Sequence, residues 1–309
     1  MNLNNPSVTV VVPTRNRRDF LAQCIDSVLS QEGVSWELIV IDDASTDGTW
    51  GWLQTLADSR VLPIHLSERS ERAAARNRGL AEARGEYVMF LDDDDLLRPD
   101  ALHVLAGALD ANQEAVAAVG ARWVVFTGEG YERRDVHPRR PKIRNVFDDV
   151  LFGWSAVSGQ NLYRSALLRK VGGFDGSIIP CEDRDLWLRV AANGLVTLRP
   201  ETVVVYRMHP DQSRPLDIRA IRERVARRAI RKMPSERRRR GLALRRSNHL
   251  LDLAEDALAA ARFTAGLRYA ALAVAAAPTV FLSPLIGVWV FHRLVGRAIR
   301  RVSPPRRAQ

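Results

Sequence analysis

The sequence predicts an α/β fold: a mostly parallel central sheet flanked by helices, followed by a basic α-helical extension at the C-terminus. Short β-branched runs alternate with stretches of helical periodicity, which indicates βαβ units. Several of the predicted strands end in polar or acidic residues. The last third of the chain changes to arginine-rich segments with apolar residues at helical spacing.

The first strand is predicted at Val8–Val12, a β-branched run that Pro13 ends. Apolar residues at helical spacing predict a helix over Phe20–Leu29, and Trp36–Ile41 is the second predicted strand. The next elements alternate helix and strand, at Trp50–Ala57, Val61–Leu66, Ala73–Ala83, Tyr87–Leu91, Pro99–Ala111 and Ala117–Phe126. This alternation predicts a parallel sheet that helices cover on both faces.

The chain beyond Phe126 is less regular. Gly128–Arg144 is polar, basic and rich in Pro and Gly, which predicts a loop. Short helices are predicted at Val146–Phe152 and Ser165–Val171, and a longer one begins at Glu182 with acidic residues in its first turn. The segment Thr197–Tyr206 is expected to be extended.

Charge divides the chain in two. The net charge is +10, but the residues from Leu216 onward contain 21 Arg or Lys and 6 Asp or Glu, a net of +15. The first 215 residues therefore carry a net charge of −5. We predict two domains, residues 1–215 and a basic helical extension at 216–309. Any partner that the basic charge attracts is expected to bind the extension.

The extension contains a long apolar stretch. Tyr269–Phe291 has no charged residue and is long enough to cross a bilayer, but Pro278 and Pro284 interrupt it. A helical hairpin that lies on the membrane surface or docks on the protein is favoured over a transmembrane span. The basic run Arg297–Arg301 suits anionic lipid headgroups, although a solvated charged tail has the same composition.

Composition excludes several classes of protein. With 46% hydrophobic and 27% charged residues the chain is globular rather than disordered, and two cysteines are too few for a disulfide framework. The N-terminus shows neither the basic region nor the apolar core of a signal peptide. We therefore expect a cytoplasmic protein, peripheral on the inner face of the membrane.

Four consecutive carboxylates, Asp92–Asp95, follow the apolar run Tyr87–Leu91. Like charges in a row repel one another unless a cation lies among them, and oxygen ligands favour Mg²⁺ or Mn²⁺. An acidic turn that caps the next helix is the other interpretation. Thr14–Asn16 and Asp42–Asp47 also follow predicted strands, and ligands bind at the carboxyl ends of parallel strands, so a ligand site is favoured.

Seven short motifs, each weak alone, occur in one order between Val8 and Ser213. They are Val12–Asn16, Ile41–Thr49, Ala75–Gly79 before Gly85–Tyr87, Phe90–Asp95, Val171–Asp175, Glu182–Arg189 and Tyr206–Pro210. Together they resemble the family 2 glycosyltransferases of the GT-A fold, whose central sheet is Rossmann-like. The resemblance implies inverting transfer of a sugar from a nucleotide-diphosphate sugar, most commonly a UDP-sugar, to an acceptor hydroxyl.

The resemblance also implies a metal and its ligands. Asp94 would hold Mn²⁺ or Mg²⁺, which would neutralise the departing diphosphate, and either Asp93 or Asp92 would bond the ribose. His209 resembles the later histidine of the family, which can reach the metal or the diphosphate. An ordinary loop histidine before Pro210 is an equally good interpretation.

The remaining implied site residues bind the nucleotide sugar or act on the acceptor. Asp43 would read the nucleotide base, although it also suits a turn. The nucleotide wall would include Pro13, Thr14, Arg15 and Asn16, with Arg76 and Asn77 near the base or phosphate. Asp183 is the predicted catalytic base, with Glu182 beside it on the acceptor side. Both residues also suit a helix N-terminus, and the two roles are compatible.

Other classes of function compete with sugar transfer. A non-catalytic nucleotide-sugar-binding scaffold at the membrane would need the same residues without turnover. A phosphoacceptor receiver domain would need a lysine at a later strand end, which none of Lys142, Lys170 and Lys232 provides. No nucleic-acid partner is expected, because few aromatic residues accompany the arginines of the extension. Its basic, apolar character favours a carbohydrate or lipid-linked acceptor in cell-surface polysaccharide or glycolipid assembly.

Overall fold

The computed structural model describes residues 6–126, 131–134, 138–209, 212, 218–283, 286 and 290. The strands are β1 (Val8–Thr14), β2 (Trp36–Asp43), β3 (Val61–Leu66), β4 (Tyr87–Phe90), β5 (Leu96–Leu97), β6 (Ala115–Phe126), β7 (Tyr131–Arg134), β8 (Lys142–Arg144), β9 (Asn161–Arg164) and β10 (Leu195–Met208). The helices are α1 (Arg18–Leu29), α2 (Thr49–Leu53), α3 (Glu71–Glu82), α4 (Ala101–Asp110), α5 (Phe147–Phe152), α6 (Ser165–Val171), α7 (Glu182–Ala191), α8 (Ile218–Lys232), α9 (Ser235–Ala259) and α10 (Phe263–Ala276).

The strands form one sheet in the order β3-β2-β1-β4-β9-β6-β10-β5. The first four of these are parallel, with Thr14 opposite Asp42 and Val11 opposite Phe90. Strands β1, β2 and β4 are buried along nearly their whole length, as expected of β-branched strands with helices on both faces. The register places the ends of β1, β2 and β4 at the same edge, and this confirms the mostly parallel α/β fold.

The other half of the sheet is less regular than predicted. Strand β9 is antiparallel to both β4 and β6, while β6 and β10 are parallel. Strand β9 has only four residues, too few for an alternating pattern to distinguish it from a loop. The predicted loop at Gly128–Arg144 contains β7 and β8, which pair with β6 and β10, so the loop prediction was wrong for those residues. Residues 128–130 and 135–137 of that loop lie outside the described part of the chain.

Helix α2 is shorter than predicted, ending at Leu53 instead of Ala57. The Thr55 hydroxyl donates to the carbonyl oxygen of Trp52 at 2.7 Å. The next backbone bonds connect residues three apart, from Thr55 N to Trp52 O and from Leu56 N to Leu53 O. A hydroxyl that competes for a helical carbonyl favours a turn, so the helix ends there.

Two compact units divide the chain: Met1–Asn145 with Ala156–Ile221, and Val146–Ser155 with Arg222–Gln309. The predicted division after residue 215 stays a proposal. The first unit contains the sheet described above. In the second unit the buried Arg245 donates to the carbonyl oxygens of Leu151 and Phe152 at 3.1 Å and pairs with Glu223 at 2.9 Å. An arginine of the basic extension thus joins α5, α8 and α9 from inside the unit.

The apolar stretch Tyr269–Phe291 is described only in part. Helix α10 ends at Ala276, and a short 3₁₀ turn follows at Pro278–Leu282. In the described ranges, none of the helices combines the length and the apolar character needed to traverse a bilayer. The basic run Arg297–Arg301 lies outside the described residues.

Candidate functional site

A cavity of about 640 Å³ lies in the first unit, where the carboxyl ends of β1, β2 and β4 meet the N-termini of α3 and α7. Most of the site residues predicted from the sequence line it: Pro13, Thr14, Arg15, Asp43, Arg76, Asp92, Asp93, Asp94, Glu182 and Asp183. The carboxylates of three separated chain segments therefore share one cavity. Asn16, Asn77 and His209 are not among its lining residues.

The acidic run at the end of β4 is compensated by arginines from other elements. Arg17 Nη1 lies 3.2 Å from Asp93 Oδ1 and 2.8 Å from Asp94 Oδ2. Thr14 Oγ1 donates to Asp93 Oδ2 at 2.7 Å. Burial nevertheless raises the pKa of Asp93 to about 6, against the opposing effects of Arg17 and Thr14. The repulsion that the sequence predicts among these carboxylates is thus partly relieved by the protein itself.

Asp94 and His209 are brought together as the resemblance implied. His209 is 4% exposed, and its Nε2 lies 3.0 Å from Asp94 Oδ2. The imidazole stacks on Phe20 with ring centroids 4.7 Å apart, which fixes its orientation. His209 Nδ1 is buried and has no hydrogen-bond partner in the described part of the chain.

Asp95 is the member of the acidic run to which the sequence assigned no role. It is fully buried, and its Oδ1 accepts a hydrogen bond from the backbone N–H of Arg207 at 2.9 Å. Its Oδ2 is buried without a hydrogen-bond partner among the described residues. Burial, followed by repulsion from Asp92 and Asp94, raises the pKa of Asp95 well above its usual range.

These carboxylates fit a divalent cation. Asp92, Asp94 and Asp95 each offer an oxygen atom, and the three atoms lie within 4.8 Å of one another. A set of carboxylate oxygens suits Mg²⁺ or Mn²⁺ better than a softer metal. The buried Oδ2 of Asp95 has no hydrogen-bond partner among the described residues, which suits a metal ligand, because buried polar atoms rarely stay unpaired. The residues therefore fit the metal that the resemblance implied, with Asp95 as an additional candidate ligand.

Arg76 joins the acidic run to helix α7. It is 3% exposed, and its guanidinium contacts Asp92 Oδ1 at 2.6 Å and Glu182 Oε1 at 3.2 Å. Its carbon Cζ lies 5.3 Å from the ring centroid of Phe174. Burial lowers the pKa of Arg76, but Asp92 and Glu182 outweigh it, so the net pKa is raised and the residue stays charged. Arg76 pairs with two carboxylates at the cavity wall, and its predicted contact with base or phosphate stays a prediction.

Asp183 lies in the first turn of α7 and is half-buried at the cavity. Its Oδ1 accepts from the backbone N–H of Arg184 at 2.7 Å, which orients the carboxylate. Burial raises the pKa of Asp183, as does repulsion from Glu182, while Arg76 opposes the rise. A carboxylate that is held in direction and made more basic by its surroundings is suited to accept a proton.

Asp43 accepts hydrogen bonds from the backbone of the next helix rather than pointing freely into the cavity. Its Oδ1 accepts from Ser70 N at 2.6 Å and its Oδ2 from Glu71 N at 3.2 Å, at the beginning of α3. A carboxylate has about four lone-pair sites, so each oxygen keeps capacity for a ligand. These two hydrogen bonds are consistent with Asp43 as a turn residue, and they also hold its carboxylate at the cavity.

Two predicted site residues instead connect loops. Asn16, in a left-handed conformation with φ of 54°, accepts from Thr46 N through Oδ1 at 2.7 Å, which joins the loops after β1 and β2. Asn77 donates to Phe174 O and accepts from Phe174 N, both at 2.8 Å. The direct ligand contact predicted for both asparagines stays a prediction.

The sequence motifs assigned no role to two of the arginines that counter the acidic run. Arg17 follows Arg15 by two residues, and Arg207 belongs to the motif that contains His209. Arg207 Nε donates to the carbonyl oxygen of Asp94. The sequence did contain one signal for these arginines: four adjacent carboxylates repel one another, which predicts a positive charge nearby. That row indicates a metal as readily as it indicates arginines from distant segments, and the two are compatible.

The family model described as glycosyl transferase family 2 matches residues 9–172. Escherichia coli (strain K12) WcaA, named as a candidate colanic acid biosynthesis glycosyl transferase, is 34% identical over 193 residues, which are 60% of this chain and 67% of WcaA. Rhizobium meliloti ExoO, named a succinoglycan biosynthesis protein, is 39% identical over 112 residues. That match covers 36% of this chain and 32% of ExoO. An uncharacterized Sinorhizobium fredii protein is 33% identical over 60% of this chain and 20% of its own length, so the chain spans only part of several relatives.

A solved structure resembles the chain over most of its length. S. aureus TarS residues 1–349 in complex with UDP-GlcNAc superimposes with a TM-score of 0.68 at 17% identity, covering 94% of this chain and 89% of that one. At this identity the likeness concerns the fold. It agrees with the GT-A type that the sequence motifs implied.

Proposed function

Because the chain belongs to glycosyl transferase family 2, we propose that it transfers a sugar from a nucleotide-diphosphate sugar to an acceptor hydroxyl with inversion at the anomeric carbon. One observation carries the proposal: Asp43, Asp92–Asp94 of the acidic run and the pair Glu182–Asp183 meet at one cavity, although they are far apart in sequence. A base, a diphosphate site and a nucleotide site within one cavity are what such a transfer requires.

Asp183 is the proposed catalytic base. As the acceptor oxygen forms its bond to the anomeric carbon, the bond from that carbon to the diphosphate oxygen breaks, and the hydroxyl proton passes to the Asp183 carboxylate. The bonds from Arg184 N to Asp183 and from Arg76 to Glu182 hold this corner of the cavity before substrate arrives. Glu182 is the proposed acceptor-side residue.

The nucleotide is proposed to lie along Pro13, Thr14 and Arg15, with Asp43 at the base and Asp92 and Asp93 at the ribose. Asp92, Asp94 and Asp95, together with His209, would hold Mn²⁺ or Mg²⁺. When bound, this cation would supply Lewis-acid neutralisation of the leaving diphosphate. Before a cation binds, the contacts of Arg17 with Asp93 and Asp94 would neutralise part of the charge of these carboxylates.

The donor is proposed to be a UDP-sugar and the product to belong to a polysaccharide. The structural relative TarS binds UDP-GlcNAc, and the relatives WcaA and ExoO are named for colanic acid and succinoglycan biosynthesis. A carbohydrate or lipid-linked acceptor at the inner face of the membrane fits these names and the basic extension, whose counted charge is net positive. A cytoplasmic, membrane-peripheral site of action is part of this proposal.

Turnover separates this proposal from a nucleotide-sugar-binding scaffold. The full chain is incubated with UDP-sugars, Mn²⁺ or EDTA, and a panel of acceptors, and release of UDP is measured. We expect Mn²⁺-dependent release that Asp183→Asn abolishes while leaving stabilisation by UDP intact. Asp26→Asn, an exposed carboxylate on α1, is the matched control and should behave as wild type. Binding of UDP-sugar without release under all conditions would favour the scaffold.

Ligand binding is measured first by thermal shift with a panel of nucleoside diphosphates. A ligand at about 100 times its Kd stabilises the native state by about 2.7 kcal/mol. We expect UDP with Mn²⁺ to raise the melting temperature and Asp94→Asn to remove the Mn²⁺-dependent part. No shift with any nucleoside diphosphate would contradict both the transferase and the scaffold.

A further inference from the structure

Exposed apolar side chains are concentrated in the second compact unit. Among the described residues eight large apolar side chains are exposed, and six belong to the range 222–309: Leu242, Phe263, Leu267, Leu272, Val274 and Leu282. Phe263 and Leu267 are 62% and 68% exposed. Together with Val274 they recur at i, i+4 and i+11 on α10 and therefore lie on one helix face. We call these three residues the α10 stripe.

The stripe is not the face by which α10 packs on its neighbour. That face contains Gly266 and Ala273, which are buried. A Cβ at Gly266 would meet Leu258 of α9 at 2.7 Å, and Ser247 Oγ of α9 donates to the Ala273 carbonyl oxygen at 2.6 Å. Helix α10 contains no acidic residue, and within the described residues its stripe presents apolar surface to solvent.

The same unit exposes arginines and a lysine that no carboxylate neutralises within the part of the chain that the structure describes. Asp148 pairs with Arg240 at 2.6 Å, and Glu223 pairs with Arg227 at 2.8 Å and Arg245 at 2.9 Å. Nine further exposed cations have no carboxylate partner among the described residues. This cationic set consists of Arg222, Arg224, Arg231, Lys232, Arg238, Arg239, Arg246, Arg262 and Arg268.

On α8 two of the cations lie opposite the buried side chains. Val225, Ala226 and Ile230 are buried, whereas Arg224 and Arg231 are seven residues apart on an exposed face. The helix is thus amphipathic with a positive outer face. Unpaired cations of this density attract a polyanion or an anionic surface.

We propose that this unit docks on an anionic lipid bilayer, with the α10 stripe in the boundary between headgroups and acyl chains and the cationic set against the headgroups. Apolar burial and attraction to anionic lipids act together in such docking, since either signal alone binds only weakly. A nucleic acid would neutralise the cations but leave the stripe in water. A second copy of the chain would cover the stripe only by bringing two positive units together.

Vesicle sedimentation tests the proposal with the full-length chain. Partition is compared between phosphatidylcholine vesicles and vesicles that also contain about 30 mol% phosphatidylglycerol, at about 0.1 M and 0.5 M salt. We expect binding to the anionic vesicles at low salt, with a marked loss at high salt and on phosphatidylcholine alone. Equal partition to both vesicle types, or none to either, would overturn the proposal.

Two double variants separate the two contributions. Arg224→Gln with Arg231→Gln should lower the partition by roughly 25-fold, since each cation near the surface contributes about a fivefold change. Phe263→Ser with Leu267→Ser should lower it by roughly tenfold or more, because both side chains then lose apolar burial. The cation variant leaves the apolar surface untouched, so it remains informative if the stripe variant misfolds.

Matched controls come from the first unit. Leu62→Ser removes an exposed leucine of β3 and matches the stripe variant. Arg139→Gln with Arg140→Gln removes two exposed charges and matches the cation variant. Each control should change the partition by less than about twofold, the variation expected for substitutions that remove no contact with the vesicle. Stripe and control variants that partition alike would refute the bilayer contact. So would a lipid-free dimer in sedimentation velocity that the stripe variant dissociates, or tight duplex DNA binding that only the cation variant weakens. UDP release in solution is measured separately, and its outcome does not decide this proposal.

Discussion

Replacing Arg76 by methionine should destabilise the chain far more than replacing a surface arginine of the same helix. Arg76 is 3% exposed and contacts Asp92 and Glu182, and the Glu182 side chain is 4% exposed. Removing one partner of a buried pair leaves a poorly compensated buried charge, which costs about 3–5 kcal/mol; we expect the lower end of that range, because Arg72 Nε still lies 3.7 Å from Glu182 Oε1. Asp92 contributes less to this cost because its side chain is 32% exposed and water can solvate it.

Arg78→Met is the matched control. Arg78 pairs with Glu82 on the same helix, but the two side chains are 44% and 39% exposed, so the loss should be at most about 1 kcal/mol. The free energy of unfolding is measured by guanidinium titration of the metal-free full chain, with tryptophan fluorescence and circular dichroism as probes. Non-coincident transitions would be fitted separately for the two units.

A second substitution tests whether the carboxylate of Glu182 causes the loss of stability in Arg76→Met. Glu182→Met in the Arg76→Met background removes the stranded carboxylate and should recover part of the lost stability, because an apolar pair of similar volume can replace a buried ion pair. If Arg76→Met costs no more than Arg78→Met, the reasoning that Arg76 compensates Glu182 is refuted. If the double variant is less stable than Arg76→Met alone, Glu182 is stabilised by something other than Arg76.

Three further predictions concern the site and its support. Asp183→Asn should abolish sugar transfer and raise the free energy of unfolding near pH 7. Because burial raises the pKa of Asp183 in the folded state, the free energy of unfolding of the wild type falls as the pH rises through that pKa. The variant should lose this pH dependence when unfolding is measured across a range of pH. Arg76→Met should shift the acidic limb of the rate–pH profile to higher pH, because Arg76 opposes the rise in the Asp183 pKa; an unchanged limb would exclude Asp183 as the base. Gly79→Ala should destabilise by about 1–3 kcal/mol in thermal unfolding, since its Cβ would overlap the Val11 side chain, whereas Gly107→Ala, with open space, should be neutral or stabilising.

Local chemistry made much of the site predictable. The strands β1, β2 and β4 are β-branched or apolar runs that end in polar residues, and parallel strands bring their carboxyl ends to one edge regardless of loop length. Position at the strand ends is therefore enough to predict that Asp43 and Asp94 share one cavity, as they do, whereas Asp183, in the first turn of α7, was placed there by the family resemblance. Strand β9 and the strands inside the predicted loop are not predictable in this way, because pairing with distant partners rather than local pattern makes them strands.

What the sequence determined by itself is the chemistry at the strand ends: which carboxylates exist, and that four in a row require positive charge. Only the tertiary structure decided where that charge comes from, since Arg17, Arg76 and Arg207 reach the acidic run from three different elements. It also decided that Asn77 holds Phe174 instead of lining the cavity. The charged side chains pair with groups that are close in space, and the order of residues in a single sequence does not give the distances between them.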